Sequence, residues 1–294
     1  MSLYPSLARP NSLRDAAELL ASLASGGVVI AGGQELMPSV NHGVLAPDVY
    51  VDIGGLQELR GISEMADGRI AIGALTVHRE LQTDPLVRAK LPLLAHAATR
   101  AGGGRQVHNR GTIGGNLVAQ HPLYDLAPSL LALEAEVEWV KGAETVRQPL
   151  AAMLKESSHG LGREAILTRV LVAPMEPLPD GPGWAYEKLK ASGGAYGSAN
   201  AAACVRVTDA GVTWVRLVVG AVADRLLDAS EQAASVLVGR TFDPEIGNLL
   251  AERVSGLVEE PLSDAQGDGQ WRRAMAGVVA RRAVSSAVAR AREA

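Results

Sequence analysis

The sequence predicts an α+β protein in three parts: two α/β subdomains, then a domain of antiparallel strands and helices. Three observations carry this expectation. Over the first half of the chain, helical and strand-like periodicities alternate, as in units that set helices against a sheet. Near the C-terminus, strand-like runs at 184–189, 199–207 and 212–219 precede helical runs at 229–238, 243–257 and 270–292, the order of an antiparallel sheet covered by helices. Between these halves, Pro174, Pro177, Pro179, Pro182, Gly181 and Gly183 mark a domain boundary by composition. The parts are drawn at residues 1–55, 56–178 and 179–294.

Taken in order, Ser12-Leu13-Arg14-Asp15 is a capping-box pattern, and Ala16, Leu19, Leu20 and Leu23 then fall on one helical face. Gly26-Gly27 stops that helix. The short strand Val28-Val29-Ile30 runs straight into Ala31-Gly32-Gly33-Gln34-Glu35. This order places the glycine pair at the carboxyl end of a strand, where α/β folds bind ligands. Pro38 and an Asn41-His42-Gly43 turn follow, then a strand at 49–53 and the stop Gly54-Gly55. The turn Ala66-Asp67-Gly68 joins the two arms of a hairpin. Helices are expected at 77–82 and, interrupted by Pro92, at 86–100, with Gly102-Gly103-Gly104 as the end. A loop over 105–110 leads to Thr112-Ile113-Gly114-Gly115-Asn116, and Pro128 starts another helix. Strands at 136–140, 145–148 and 165–172 complete the second part.

Composition removes several function classes. A net charge of −4 gives no basic field for nucleic acid or an anionic membrane, and aromatic residues at 3% are too few to stack bases. No run approaches a membrane span, and Met1-Ser2-Leu3-Tyr4-Pro5 lacks the features of a secretion signal, so a cytoplasmic location is expected. The one cysteine, Cys204, lies in an apolar run and is read as core; it cannot hold an iron–sulfur cluster. The six histidines show no metal-binding spacing, and His159 is read as a surface-loop residue.

The two glycine pairs organise the chain. Glycine lacks a Cβ, so successive N–H groups can turn inward and form a concave anion site. Each pair here is followed at once by an amide, Gln34 or Asn116. Either pair alone could be a tight turn. Two such cradles from distant parts of one chain point to a ligand with a pyrophosphate at its middle, and FAD fits. Neither pair is a G-x-G-x-x-G fingerprint or a Walker A loop, so a dinucleotide is held some other way. Asp125 could accept hydrogen bonds from ribityl or ribose hydroxyls, or cap the helix that Pro128 begins. Lys188 and Lys190 share a strand face and could meet phosphate or the flavin N1–C2=O region, or only solvent. Tyr196 could stack on an aromatic ring or be a plain loop residue. Arg100, Arg105 and Arg110 form a basic patch around the second glycine pair, suited to phosphate or an acidic partner surface.

These residues resemble the FAD-binding medium subunit of the molybdenum hydroxylases, the carbon monoxide dehydrogenase and xanthine dehydrogenase family. Ala31-Gly32-Gly33-Gln34 and Thr112-Ile113-Gly114-Gly115-Asn116 look like its two FAD motifs, and Tyr186-Glu187-Lys188-Leu189-Lys190 like its tyrosine–lysine strand. The likeness covers nearly the whole chain. It implies a p-cresol-methylhydroxylase-like FAD-binding fold of two α/β subdomains, followed by a C-terminal α+β domain. It implies that Ile30, Ala31, Gly32, Gly33, Gln34, Glu35, Thr112, Gly114, Gly115 and Asn116 surround FAD, with the pyrophosphate on backbone N–H groups of both turns. Asp125, Leu167, Lys188 and Tyr196 would also contact the cofactor. No catalytic residue or metal ligand is expected in this chain. Partner chains would be a large molybdopterin subunit and a small subunit with [2Fe–2S] clusters, assembled as a dimer of heterotrimers. Electrons would pass from molybdopterin through the clusters to FAD and then to an outside acceptor. Two departures stand out. Glu35 replaces a serine common in the family, so its carboxylate is expected to point away from pyrophosphate or pair with a base. Gly194-Ala195-Tyr196 lacks the family's acid. The competing reading is a stand-alone flavin oxidase, with His108 or His121 as the base.

Overall fold

A computed structural model describes residues 5–23, 26–156, 164–177, 181–190 and 196–293. The expectations placed on Met1 to Tyr4, His159, Pro179, Gly194 and Ala195 lie outside these. The elements run in the order β1 (Ser6–Ala8), α1 (Leu13–Ser22), β2 (Gly27–Ile30), α2 (Leu36–Asn41), β3 (Val49–Asp52), β4 (Ile62–Glu64), β5 (Ile70–Gly73), α3 (His78–Thr83), α4 (Pro85–Lys90) and α5 (Pro92–Arg100). There follow α6 (Gly104–Arg110), α7 (Ile113–Ala119), α8 (Leu126–Ala132), β6 (Glu136–Lys141), β7 (Glu144–Pro149), α9 (Leu150–Glu156) and β8 (Ala165–Val172). The chain ends with β9 (Gly183–Leu189), β10 (Ala199–Thr208), β11 (Gly211–Gly220), β12 (Leu227–Asp228), α10 (Ser230–Leu237), α11 (Pro244–Gly256) and α12 (Gly269–Arg292).

Local chemistry explains most of these boundaries. Ser12 Oγ accepts the Asp15 N–H and starts α1, as the capping pattern predicts. Pro92 separates α4 from α5, because its ring cannot sit within one continuous helix. The loop expected at 105–110 is instead α6. Gly104 takes φ +65° to turn the chain into it, and nothing between Arg105 and Asn109 breaks a helix. Five further pieces were not expected: β1, α2, α7, α9 and β12. In α2, Pro38 lies in the first turn, where its missing N–H is no loss.

The chain divides into two compact units. The first comprises residues 1–81, 105–120 and 134–173. It holds a parallel sheet in the order β1-β3-β2 and an antiparallel sheet in the order β4-β5-β8-β6-β7. Ala16, Ala17 and Leu20 of α1 pack with Val51, Ile53, Leu59, Leu75 and Ile166 in one core. The second unit comprises residues 82–104, 121–133 and 174–294. Its antiparallel sheet runs β12-β11-β10-β9, with α10, α11 and α12 burying their apolar faces on it. The alanine-rich runs of β10 and α12 let strand and helix approach closely; Gly183 of β9 has no room for a side chain against Ala287 and Ala291. Among the described residues, no helix is long and apolar enough to cross a membrane.

Candidate functional site

In the first unit, β2 delivers the first glycine turn at its carboxyl end. The Ile30 carbonyl still accepts the Ile53 N–H at 3.1 Å, so pairing ends there and residues 31–35 leave the sheet. Gly33 adopts φ +69°, a conformation that favours glycine. Gly32 has no room for a side chain, since a Cβ would collide with the Arg110 carbonyl oxygen. Gln34 folds back and its Nε2 donates to the Gly32 carbonyl at 3.2 Å. Among the described residues, the N–H groups of Gly32, Gly33 and Gln34 have no acceptor, and the whole turn from Ile30 and Ala31 onward is half-buried. Glu35 sits at the N-cap of α2 without a capping bond from its side chain.

The second glycine motif is not a turn that presents N–H groups. It is the opening of α7. Thr112 is the N-cap, and its Oγ1 accepts the Gly115 N–H at 3.0 Å. The Ile113 N–H goes to the Thr76 carbonyl and that of Gly114 to the Ala74 carbonyl, both at 2.9 Å, while Asn116 N–H reaches the Thr112 carbonyl at 3.0 Å. These four donors are occupied, two by docking on the chain that follows β5 and two by Thr112 at the start of α7 itself. Each residue of the motif has a separate job. A Cβ on Gly114 would lie 2.8 Å from both the Cβ and the carbonyl oxygen of Ala74. Gly115 is exposed, and a Cβ there would meet only Thr112 Oγ1, at 3.0 Å. Asn116 Oδ1 is buried and has no hydrogen-bond partner among the described residues.

The two glycine segments lie side by side within this unit. Arg110, the last residue of α6, also directs its Nε to the Gly32 carbonyl at 3.4 Å. Beneath this junction the His78 N–H donates to the Gly111 carbonyl at 3.0 Å. The His78 ring is buried, neither nitrogen is hydrogen-bonded among the described residues, and its centroid lies 6.3 Å from that of His108. Burial first, and His108 second, pull the His78 pKa down to about 4, so the ring is neutral. Leu167 lies within β8, buried in the antiparallel sheet opposite Trp139 of β6.

In the second unit, Asp125, Tyr186 and Lys188 form one buried cluster. Tyr186 and Lys188 share a face of β9, two residues apart. The Tyr186 hydroxyl donates to Asp125 Oδ1 at 2.7 Å, and Lys188 Nζ to Asp125 Oδ2 at 2.9 Å. Lys188 Nζ also reaches the Arg100 carbonyl at 2.9 Å. Asp125 does hold the N-cap position of α8, yet its side chain makes no capping bond. The capping alternative is thereby corrected: partners on β9 take both oxygens. Burial raises the Asp125 pKa and lowers that of Lys188, and the charge of each opposes the shift of the other. Lys190, on the same strand face in the sequence reading, is exposed while Lys188 is not. Tyr196 is partly exposed and stacks on His121, centroids 5.6 Å apart; His121 stacks in turn on Tyr124 at 4.8 Å. His121 Nδ1 accepts the Leu123 N–H at 3.3 Å. Tyr186 was absent from the expected site. The signal for it was present, two residues before Lys188 on an alternating strand.

The residues of the first unit suit a dinucleotide: three donors without acceptors beside a glycine that admits no side chain, and a buried amide oxygen awaiting a partner. Comparison with known proteins agrees. Residues 4–174 match the FAD binding domain in molybdopterin dehydrogenase, and residues 184–287 match the CO dehydrogenase flavoprotein C-terminal domain. The carbon monoxide dehydrogenase medium chain of Hydrogenophaga pseudoflava is 36% identical over 96% of both chains. The nicotine 6-hydroxylase medium subunit of Paenarthrobacter nicotinovorans is 30% identical, covering 96% of this chain and 97% of that one. The solved structure of carbon monoxide dehydrogenase from Hydrogenophaga pseudoflava lacking the Mo-pyranopterin moiety superposes with a TM-score of 0.91 and 32% identity over 99% of both chains. This chain belongs to the FAD-binding flavoprotein family of the molybdopterin dehydrogenases and is an oxidoreductase subunit.

Proposed function

We propose that this protein is the FAD-carrying electron-transfer subunit of a three-subunit molybdenum hydroxylase, working in the cytoplasm as part of a dimer of heterotrimers. In this reading a large subunit oxidises the substrate at molybdopterin, and a small subunit relays electrons through [2Fe–2S] clusters to this chain. The observation that carries the reading is the trio of N–H groups of Gly32, Gly33 and Gln34 without acceptors among the described residues, in a chain that matches a medium subunit over 96% of its length. One cysteine in 294 residues cannot ligate a cluster, so relay centres belong to other chains.

FAD, when bound, supplies the redox chemistry that couples cluster electrons to an outside acceptor. The chain's own residues position it. Gly32, Gly33 and Gln34 would donate to the pyrophosphate. Gly115 leaves open the approach to α7, where Thr112 and Gly114 set the angle of the helix, and the Asn116 amide oxygen would accept from the ligand. Asp125, Leu167, Lys188 and Tyr196 keep the cofactor roles that the family resemblance gives them, with Asp125 and Lys188 acting as a pair. The domain division at residues 55 and 178 remains part of this proposal.

The substrate is set elsewhere. Relatives matching over the same length carry the names of carbon monoxide dehydrogenase and nicotine 6-hydroxylase, so this subunit type serves dissimilar reactions. Purified alone, the chain should bind FAD and fail to be reduced by carbon monoxide, aldehydes or N-heterocycles. Rapid bleaching by any of these would defeat the proposal.

A further inference from the structure

We propose that Arg110 supplies the counter-charge for the cofactor pyrophosphate, a residue outside both glycine motifs. The inference rests on reading the first turn as the cofactor cradle. A pyrophosphate carries full negative charges, whereas backbone N–H groups offer only partial positive ones. Four N–H groups of the second motif, those of Ile113, Gly114, Gly115 and Asn116, are occupied within the protein, which leaves that motif less to offer an anion than the first turn. Glu35, at the end of the cradle, carries the opposite sign to the one needed. An anion held at this turn therefore calls for a cation within reach.

Arg110 is placed for that task from two directions. Its carbonyl oxygen lies against Gly32, where a side chain would collide, and its Nε donates to the Gly32 carbonyl at 3.4 Å. The guanidinium is thus anchored at the lip of the turn by one nitrogen. Its two terminal nitrogens have no acceptor among the described residues, and the side chain is exposed. A guanidinium presents such donors as a planar fork that matches phosphate oxygens. Arg105, at the other end of α6, makes no hydrogen bond to the turn.

The test uses the full chain freed of flavin and titrated with FAD by fluorescence quenching at low and high salt. Arg110→Gln retains a donor for the Gly32 carbonyl without charge, and Arg110→Lys retains charge without the fork. Arg110→Gln should bind FAD about tenfold more weakly at low salt and lose most of the salt dependence. Arg110→Lys should keep the salt dependence and recover part of the affinity. The flavin-free variants should melt with the parent chain, since the side chain is exposed. Wild-type affinity and salt slope in Arg110→Gln would overturn the proposal while leaving the cradle standing, and so would equal losses in the two variants. A parent chain that binds no FAD would remove both this inference and the function it rests on.

Discussion

The carbonyl oxygen of Arg110 lies so close to Gly32 that a Cβ on Gly32 would collide with it. This contact locks the end of β2 to the end of α6, and so holds the first glycine turn beside the start of α7. The cradle is a backbone construction, and one methyl group should disturb it.

Gly32→Ala should therefore shift the turn away from Arg110 and lower FAD affinity at least tenfold. Flavin content by absorbance at saturating FAD checks this. Overpacking at such a site costs about 1–3 kcal/mol, so a modest drop in melting temperature should accompany the loss.

Gly114 and Gly115 should behave in opposite ways despite being neighbours. Gly114→Ala pushes a Cβ against Ala74 and should destabilise the protein by about 1–3 kcal/mol in urea melts. At Gly115 an added Cβ meets only Thr112 Oγ1 among the described residues, so Gly115→Val should cost less stability than Gly114→Ala yet weaken FAD retention. Asn116→Ala should also weaken retention, since its buried oxygen has no partner among the described residues. Full flavin occupancy in both Gly115→Val and Asn116→Ala would show that the start of α7 does not face the cofactor.

Asp125 and Lys188 are buried partners 2.9 Å apart, and removing one strands the other. Lys188→Met should cost about 3–5 kcal/mol of stability, because the Asp125 carboxylate is left uncompensated. Adding Asp125→Leu to Lys188→Met should recover much of that loss, giving a clearly non-additive double-mutant cycle. Additive losses would mean that the pair does not act as a unit.

His78 sets an acid limit on the first unit. Its folded-state pKa, about 4, lies below the ordinary value of 6.5, so folding favours the neutral ring. Stability is complete above pH 6.5 and falls as pH drops toward 4, by about 3 kcal/mol once the ring must be charged. His78→Leu should flatten this limb of a stability–pH curve between pH 6.5 and 4. Because His78 supports Gly111, flavin release should follow the same limb.

Much of this was legible in the chain itself. Ser12, Pro92 and the alternation of β9 place helix starts, a helix break and a strand face through rules that act within a few residues. The second glycine motif was legible as a motif but not as a helix start. What fixes it is docking on Ala74 and Thr76, which no local rule connects to Ile113 and Gly114. The Asp125–Lys188 pair was hidden for the same reason, its members being 63 residues apart. Local reading offered a cap or a ligand contact for Asp125, and tertiary packing rules out the cap.

The most direct measurement is native purification of this protein from its own host, with FAD, molybdenum and iron assayed in the same eluate. The account predicts all three together with two co-purifying chains, one large and one small. FAD on a solitary chain that bleaches with an organic donor, or no flavin at all, would contradict it.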